Sequence, residues 1–251
     1  MNKGQHQTGT GSGERVICGL NAVAEYLEKG EVTRIYTSVQ LAHPVIREAK
    51  GRGIPLSNLK KSELDLYAGG ENHQGIVAFV RGFPYVDFPD LFPLLESMEA
   101  PLILLLDRLQ DPHNLGAIAR SAYLLGATAI CIPYKGSASV TQGAVKSSSG
   151  ATGHIPIARV INMGRALDEL KDRGFRIAGL LMDGPHVLSQ SDLTGPLAIV
   201  VGSEDKGIRP TLEDRLDLRL SIPMAGAHIG SFNASVAASI VLYEVSRQRR
   251  P

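Results

Sequence analysis

The feature that most constrains the fold is a set of five short, largely apolar runs that follow one another from residue 99 onward. They are LILLL (102–106), AICIP (129–133), RIAGLL (176–181), LAIVV (197–201) and LRLSI (218–222). Because polar residues rarely interrupt them, these runs are typical of strands that are buried on both faces of a parallel sheet. The helical stretches between them indicate an α/β fold, in which ligands bind at the carboxyl ends of the strands.

Residues 14–80 show a second, shorter alternation of strand-like and helical segments. Apolar residues at helical spacing mark the first helix: Ala22, Val23, Tyr26 and Leu27. The segments TRIYTS, IPLSNL and HQGIVAFV predict strands, and PVIREAKGRG and KSELDLYA predict helices. This pattern predicts a small three-layer α/β domain.

The remaining segments predict how the domains are joined. Residues 81–98 contain three prolines, which restrict their own backbone and that of the preceding residue, so we expect a linker with a short helix. Residues 99–251 then form the second domain. Residues 1–13 are rich in Gly, Thr and Gln, which predicts a flexible tail without a secretory signal.

Composition limits the classes of protein that the chain can represent. Hydrophobic residues make up 43% and charged residues 20%, as is ordinary for a globular protein. No apolar stretch approaches the roughly 18 residues that span a bilayer. Two cysteines are too few for a disulfide framework, so we expect a cytoplasmic protein in which Cys131 is a buried thiol. The seven histidines lack metal-ligand spacing, and no metal is expected.

Three uncommon strings begin at the ends of apolar runs. They are DRLQDPHNLGAIAR (107–120), VVGSEDKG (200–207) and SIPMAGAHIGSFNAS (221–235). Each combines glycines with polar side chains that can contact a ligand. Since the carboxyl ends of parallel strands meet at one edge of a sheet, the three strings are expected to form one site.

The first string predicts a helix with Arg120 on its outer side. An apolar stripe runs along this helix at spacings of three and four: Leu115, Ile118, Ala119, Ala122 and Leu125. Arg120 falls roughly opposite the stripe, by the advance of about 100° per residue. The residues alone leave two alternatives open, in which Asn114 is the helix N-cap and Arg120 a solvated charge, or both contact a ligand.

The other two strings also leave alternatives open. Gly202 predicts a backbone that a ligand can approach closely. Glu204, two residues on, is either a surface carboxylate near a helix start or part of the site. Ser231 or Asn233 either caps the helix SVAASIVLYEVSRQR or faces a ligand.

In this order, the three strings resemble the signature motifs of the SpoU family, the 2′-O-ribose RNA methyltransferases of the SPOUT superfamily. Residues 14–80 resemble, through ICGLNAVAEYL and NHQGIVAFV, the substrate-recognition domain that precedes many SpoU catalytic domains. That domain shares its fold with several RNA-binding ribosomal proteins. The resemblance implies a catalytic domain with a C-terminal trefoil knot, a homodimer, and an RNA partner rather than DNA or a membrane.

The resemblance also implies roles for individual residues. It implies an active site of Asn114, Arg120, Glu204, Ser231 and Asn233. It implies S-adenosylmethionine as the cofactor, bound by Leu180, Gly202, Ile222, Met224 and Phe232. Because a guanidinium is effectively never deprotonated in proteins, we expect Arg120 to orient phosphate and hydroxyl, and a substrate phosphate could accept the proton. Phe232 and Ala234 stand where the family usually has Leu and Val, and the 226–231 loop is slightly longer than is typical.

Three substrates or roles follow from the resemblance. The nearest match is to members that methylate a guanosine ribose in 23S rRNA, and methylation of tRNA is the alternative. A different class, a non-catalytic RNA-binding or ribosome-assembly factor, is disfavoured because all five active-site residues are intact. The string KSSSGATGHIPIARV (146–160) resembles the segment between the first two motifs, and its small residues predict tight packing or a subunit contact.

Overall fold

The computed structural model describes residues 14–40, 42–225 and 231–250 of the chain. These residues form two compact units, one ending at Pro84 and the other beginning at Tyr85. The predicted tail at 1–13 and most of the 226–231 loop lie outside the described residues. No helix in the described part of the chain is long and apolar enough to cross a membrane.

The first unit alternates strands and helices as predicted. Its elements are β1 (Glu14–Cys18), α1 (Leu20–Glu28), β2 (Val32–Thr37), α2 (Pro44–Gly51), β3 (Leu56–Asn58), α3 (Lys61–Ala68) and β4 (Ile76–Arg81). The strands form one sheet in the order β1-β4-β2-β3, in which only β2 and β3 are parallel.

Helices cover both faces of this sheet, which confirms the three-layer prediction. Val23 and Leu27 of α1 and Ile46 of α2 pack on one face, in a cluster that includes Ile35. Leu64 of α3 packs with Val77 on the other face. The inner strand β4 is therefore buried on both sides, and no polar residue interrupts it before Arg81.

The second unit is built on a larger sheet. Its elements are β5 (Val86–Asp87), α4 (Phe92–Glu96), β6 (Leu102–Leu106), α5 (Pro112–Leu124), β7 (Ala129–Pro133), α6 (Gln142–Ser147), β8 (Ile157–Val160), α7 (Met163–Asp172), β9 (Arg176–Leu180), β10 (His186–Val187), β11 (Leu197–Val201), α8 (Pro210–Glu213), β12 (Leu218–Ser221) and α9 (Ala234–Gln248). The sheet order is β10-β12-β9-β11-β6-β7-β8-β5, and every pairing is parallel.

The five apolar runs are β6, β7, β9, β11 and β12, so the predicted strands and the parallel α/β class are confirmed. Every residue of β6, β7 and β11 is buried, which is the reason that these runs lack polar positions. Cys131 lies inside β7 and is fully buried, as expected. The short strands β5, β8 and β10 were not predicted, and the knot stays a prediction.

The prediction of a linker at 81–98 is wrong for most of its length. Strand β5 pairs with β8, and four apolar side chains from this stretch belong to the core of the second unit: Phe88, Leu91, Phe92 and Leu95. The prolines mislead because Pro89 and Pro93 occupy the first turns of a 3₁₀ helix and of α4, where a missing backbone N–H breaks no hydrogen bond. Only residues 82–85, 97 and 98 of this stretch lie outside strands and helices.

Helix α5 packs unusually closely against α6. A Cβ atom placed on Gly116 would lie 2.0 Å from Ser147 Oγ and 2.3 Å from the backbone oxygen of Ala144. Ser147 also donates a hydrogen bond to the backbone oxygen of His113 in the first turn of α5. The start of the 146–160 string therefore packs tightly against α5, which agrees with the first of its two predicted roles, tight packing or a subunit contact.

Replacement of Gly116 by alanine is expected to destabilise the protein. The serine side chain can rotate away, but the Ala144 carbonyl is fixed in α6, so the two helices must separate. Overpacking of this kind costs about 1–3 kcal/mol, which exceeds the gain of roughly 0.5–1 kcal/mol from replacing a helical glycine. Denaturant unfolding measures the difference, with Gly153→Ala as the matched control because nothing lies within 4 Å of that position. Equal stability of the two variants would contradict the close packing.

Candidate active site at the carboxyl edge of the sheet

The three strings leave the sheet at one edge, from the adjacent strands β6 and β11 and from β12, which β9 separates from β11. Val201 of β11 pairs with Leu106 of β6, and the next residue, Asp107, donates its backbone N–H to the Val201 oxygen at 2.8 Å. On the other side of β11, Leu180 of β9 pairs with Leu220 of β12. The expected convergence of the three strings at the carboxyl ends of the strands is thus observed.

A buried carboxylate joins the first string to the segment just after the second. Asp107 has no exposed surface. Its Oδ2 accepts hydrogen bonds from the backbone N and the Nε of Arg209, at 3.0 and 3.1 Å, and its Oδ1 lies 2.7 Å from Arg209 Nη2. Burial of a charge is favourable only with such partners. The sequence pattern indicated no role for either residue.

The second string forms a tight turn that presents Glu204 to solvent. Ser203 and Gly207 exchange two backbone hydrogen bonds, of 3.2 and 2.9 Å, across this turn. A Cβ on Gly202 would lie 2.1 Å from the carbonyl carbon of Gly207. Gly202 is therefore required by the approach of its own chain, and not, as predicted, by the approach of a ligand. Glu204 also lies well before a helix start, since α8 begins at Pro210.

Asn114 contacts Glu204 directly. Its Nδ2 donates a hydrogen bond to Glu204 Oε1 across 90 residues of sequence. The alternative that Asn114 is the N-cap of α5 is wrong, because Asp111 occupies that position and accepts from the His113 N–H at 2.8 Å. Pro112 follows the cap, so Asn114 lies within the first turn and its side chain is available to the second string.

Arg120 lies on the same helix but away from that contact. The predicted apolar stripe is buried at Leu115, Ile118, Ala119 and Ala122, while Arg120 is exposed. Arg120 makes no hydrogen bond or ion pair with any described residue. Six residues place it about 9 Å along the helix axis from Asn114. The helix turns by about 100° per residue, so over six residues the two side chains also point in different directions. Within one chain, Arg120 and Asn114 therefore do not meet.

Asn233 of the third string caps α9. Its Oδ1 accepts hydrogen bonds from the backbone N–H and the hydroxyl of Ser235, at 2.8 and 2.6 Å. The two acceptor positions are thus used within the helix, which leaves the Nδ2 donors for other partners. Ser231 is exposed. Ser121 and Ser239, 2.7 Å apart, connect α9 to α5.

Three of the five residues predicted to bind a cofactor lie at or directly after strand ends, Met224 follows β12 by three residues, and Phe232 precedes α9. Leu180 ends β9, Gly202 follows β11 and Ile222 follows β12, and all three are half-buried. Met224 and Phe232 each expose 39% of their surface. Apolar side chains at the carboxyl ends of parallel strands fit a ligand with a flat apolar ring, such as adenine. Among the residues that the structure describes, no group of His, Cys, Asp or Glu side chains is arranged to hold a metal ion.

Three residues at this edge were missed by the sequence analysis: Arg108, Tyr134 and Lys135. They directly follow β6 and β7, and all three line one cleft together with Arg209. Their signal in the sequence is the one used for Glu204, a polar or aromatic residue immediately after an apolar run. Tyr134 and Lys135 lie outside the three strings, whereas Arg108 lies within the first one.

The chain matches two family models. Residues 101–243 match the SpoU rRNA methylase family, and residues 16–86 match the substrate-binding domain of RNA 2′-O ribose methyltransferases. These two ranges correspond closely to the two units of the structure.

Curated relatives match over nearly the whole chain. YacO of Bacillus subtilis (strain 168), whose name assigns it to the TrmH family of tRNA/rRNA methyltransferases, is 39% identical over 94% of this chain and 96% of its own. A protein of the same description from Staphylococcus aureus (strain COL) is 38% identical over 94% and 97%. Among solved structures, the SpoU methyltransferase AviRb from Streptomyces viridochromogenes in complex with AdoMet has a TM-score of 0.63 and 27% identity, covering 95% of this chain and 91% of that one.

Removal of the buried carboxylate is expected to cost far more stability than removal of an exposed one. Asp107→Ala loses hydrogen bonds between charged groups that are worth about 1.5–3 kcal/mol each. Asp168→Ala removes a comparable pair with Arg215, 3.0 Å long but with the carboxylate 53% exposed, and should cost under about 1 kcal/mol. Thermal and denaturant unfolding compare the two variants. A larger loss for Asp168→Ala would show that the Asp107 contact does not organise the edge.

Proposed function

This chain belongs to the SpoU rRNA methylase family, and from that premise we propose that it transfers the methyl group of S-adenosylmethionine to a ribose 2′-hydroxyl of RNA. The hydrogen bond between Asn114 and Glu204 carries the proposal, because it holds an amide and a carboxylate of two different strings at the edge where ligands of parallel sheets bind. A non-catalytic RNA-binding factor would have no need for this contact.

We propose that the substrate is rRNA and the target a guanosine. Methylation of tRNA is the second candidate, and the names of the relatives from Bacillus and Staphylococcus include both RNAs. A nucleotide in a loop is the expected target, because its 2′-hydroxyl is more accessible than one in a helix. Residues 16–86 are proposed to bind the RNA without contributing to the chemistry. The two free cysteines suit a reducing compartment, and we propose the cytoplasm.

The cofactor proposal rests on the apolar side chains at the strand ends and on the AdoMet complex of AviRb. S-adenosylmethionine, when bound, supplies an electrophilic methyl group. Met224 and Phe232 are proposed to cover its adenine, and Leu180 and Ile222 to form the floor of the pocket. The backbone that follows Gly202 is proposed to form a wall. These side chains exclude water and align the cofactor, which is the contribution expected of the protein in a cofactor-dependent transfer.

Glu204, Asn114, Ser231 and Asn233 are proposed to orient the ribose. The carboxylate of Glu204 retains acceptor positions beyond the one used by Asn114, so it can accept a hydrogen bond from a ribose hydroxyl. The Nδ2 group of Asn233 can donate to the same ribose, because its Oδ1 already caps α9. Arg120 stays charged and is proposed to orient a phosphate and the attacking hydroxyl.

We propose that the protein is a homodimer in which Arg120 acts on the partner's site. Arg120 and Asn114 face different directions in one chain, so a single site cannot use both side chains directly. Helices α5 and α9 expose several apolar side chains: Tyr123, Leu124, Val236 and Tyr243. Pairing of two copies through this face would cover these side chains and bring a second Arg120 nearby.

The test is methyl transfer from tritiated S-adenosylmethionine to total RNA from a strain that lacks the gene, followed by mapping of 2′-O-methyl positions. We expect incorporation at one nucleotide that wild-type RNA already carries methylated. Absence of incorporation, together with absence of cofactor binding by calorimetry, would refute the proposal. Incorporation into tRNA alone would select the second candidate.

Replacement of Arg120 is expected to abolish turnover without loss of fold. Arg120→Ala removes an exposed side chain, so the free energy of unfolding should change by under about 0.5 kcal/mol. Loss of a charged group that stabilises a transition state lowers kcat by about 10²–10³-fold. Arg120→Lys should restore little, because an ammonium lacks the planar fork of a guanidinium. Arg165→Ala is the control, since that arginine is 80% exposed on α7.

Mixed dimers test whether Arg120 acts across the interface. An Arg120→Ala subunit paired with a Glu204→Gln subunit would contain one site with both residues intact, so the mixture should regain activity that neither homodimer has. Two results would contradict this role: a protein that is monomeric in solution, or an Arg120→Ala variant with near-normal turnover. In either case Arg120 is a solvated surface charge.

The two roles of Asn233 are separable by substitution. Asn233→Asp keeps the oxygen that caps α9 but removes both N–H donors, so stability should be retained while kcat falls at least tenfold. Asn233→Ala loses the capping oxygen as well as the N–H donors, so it should also destabilise the protein by about 1 kcal/mol. Paired measurements of the unfolding midpoint and of turnover distinguish the variants. Full activity of Asn233→Asp would restrict this residue to capping.

A further inference from the structure

A cleft of about 740 Å³ opens at the carboxyl ends of β6, β7 and β8. One wall follows β6 at Arg108, a second follows β7 at Tyr134 and Lys135, and a third begins at Ile161, directly after β8. The lining contains four cationic side chains and no carboxylate: Arg108, Lys135, Arg209 and Arg215. None of these residues belongs to the set proposed above for the cofactor or the ribose.

Two of the four cations, Arg108 and Lys135, make no side-chain hydrogen bond to a carboxylate among the described residues. Arg209 is paired with Asp107, and Arg215 with Asp168. Lys135 is exposed and bonds to no described residue. Arg108 is within 3.7 Å of Asp107, but its buried Nε has no hydrogen-bond acceptor among the described residues. A buried donor without an acceptor is costly, and the Arg108 side chain, which is 32% exposed, can gain an acceptor by turning toward an anionic oxygen in the cleft.

The loop that carries Arg108 is held in place. Arg108 has a φ of 59°, a left-handed conformation that is uncommon for residues other than glycine. Gln110 fixes this loop, because its Nε2 donates to the carbonyls of Arg108 and Gly136, at 2.9 and 2.8 Å. The same side chain thus connects the two walls that carry Arg108 and Lys135. Strained backbone held by specific contacts is typical of ligand sites.

An exposed aromatic ring stands beside these cations. Tyr134 exposes 53% of its surface, and the neighbouring Ile161 exposes 94%. Arg159 supports the tyrosine from behind, because its Nη1 donates to the Tyr134 carbonyl at 3.0 Å and its Cζ lies 5.3 Å from the ring centroid. Exposed aromatic rings among cations are the means by which proteins bind single-stranded nucleic acid, stacking bases while the cations contact phosphates.

We propose that this basic cleft binds a single-stranded RNA nucleotide that flanks the methylated one. Its base stacks on Tyr134, and its phosphates contact Lys135 and Arg108. The proposal rests on the proposed function and adds to it a second position on the RNA. Since β6 and β8 are separated only by β7, the far wall of the cleft lies about 10 Å along the sheet edge from the first string, within reach of a neighbouring nucleotide.

The chain contains no tryptophan, so one tryptophan can report on stacking. In Tyr134→Trp, a 12-nucleotide single-stranded RNA of mixed sequence should quench the indole emission at saturation. Neither AMP nor inorganic phosphate should do so at the same phosphate concentration. Leu94→Trp on α4 is the control, since that position is 41% exposed but does not line the cleft. Equal emission of Tyr134→Trp with and without the RNA, or equal quenching in both variants, would overturn the proposal.

Affinity variants separate the ring from the charge. Tyr134→Ala should weaken binding of a fluorescein-labelled 12-mer about tenfold, as is usual for one stacked base, and Tyr134→Phe should restore it. Lys135→Ala should weaken RNA binding and reduce the dependence of the affinity on salt. Lys171→Ala is the control and should do neither, because Lys171 lies at the end of α7 away from Met163, which lines the cleft. Preferential binding of an acidic peptide at Lys135 without any effect of Tyr134→Ala would indicate a protein partner and overturn the proposal.

The outcome for the cleft is distinguishable from that for the proposed function. In the methyl-transfer assay, Tyr134→Ala should raise the KM for RNA about tenfold, while kcat changes little and calorimetric binding of S-adenosylmethionine is unaltered. A wild-type protein that binds no cofactor and transfers no methyl group refutes the proposed function, whereas the tryptophan measurement needs no cofactor. An active enzyme whose KM is insensitive to Tyr134 and Lys135 refutes the cleft alone.

Discussion

The buried carboxylate of Asp107 is the contact on which the carboxyl edge of the sheet depends. It follows β6 directly, and its own N–H continues the pairing with β11 by one residue beyond the strand. Its oxygens then bind the backbone and the guanidinium of Arg209, 102 residues later. Hydrogen bonds of this kind are strengthened by the low dielectric of the interior. Because both ends of the turn at 203–207 are thereby fixed, Glu204 comes within reach of Asn114.

Sequence pattern was sufficient for the strands whose environment is uniform. The runs that became β6, β7 and β11 are buried on both faces, and that environment excludes polar residues wherever the strand is placed. It could not predict β5 and β10, because two residues carry no periodicity. Nor could it predict the strand order, which depends on pairings between distant segments. The prolines of 81–98 indicated a linker because proline is equally suited to a loop and to the first turn of a helix.

The candidate site was predicted in part, and for two different reasons. The position of the strings followed from the rule that ligands bind at strand ends, whereas the assignment of Asn114 and Glu204 to one active site depended on the resemblance, and their hydrogen bond was not predicted. Asp111 and Asn114 are both common caps, and only Pro112, in its place at the start of the helix, favours the former. Gly202 was predicted to make room for a ligand. A sequence shows that a glycine leaves room, but not whether a ligand or another part of the same chain occupies it. Tyr134 and Lys135 were missed because neither belongs to a string.

The order of strands in the sheet has a consequence for how the chain is made. β7 is synthesised soon after β6, but β11, which pairs with the other edge of β6, follows roughly 90 residues later, at a synthesis rate of about 5–20 residues per second. An unpaired LILLL edge therefore persists for ~5–18 s on each ribosome. During that time it is open to pairing with another nascent chain, and a chaperone that covers apolar strand edges would act before the last part of the protein exists.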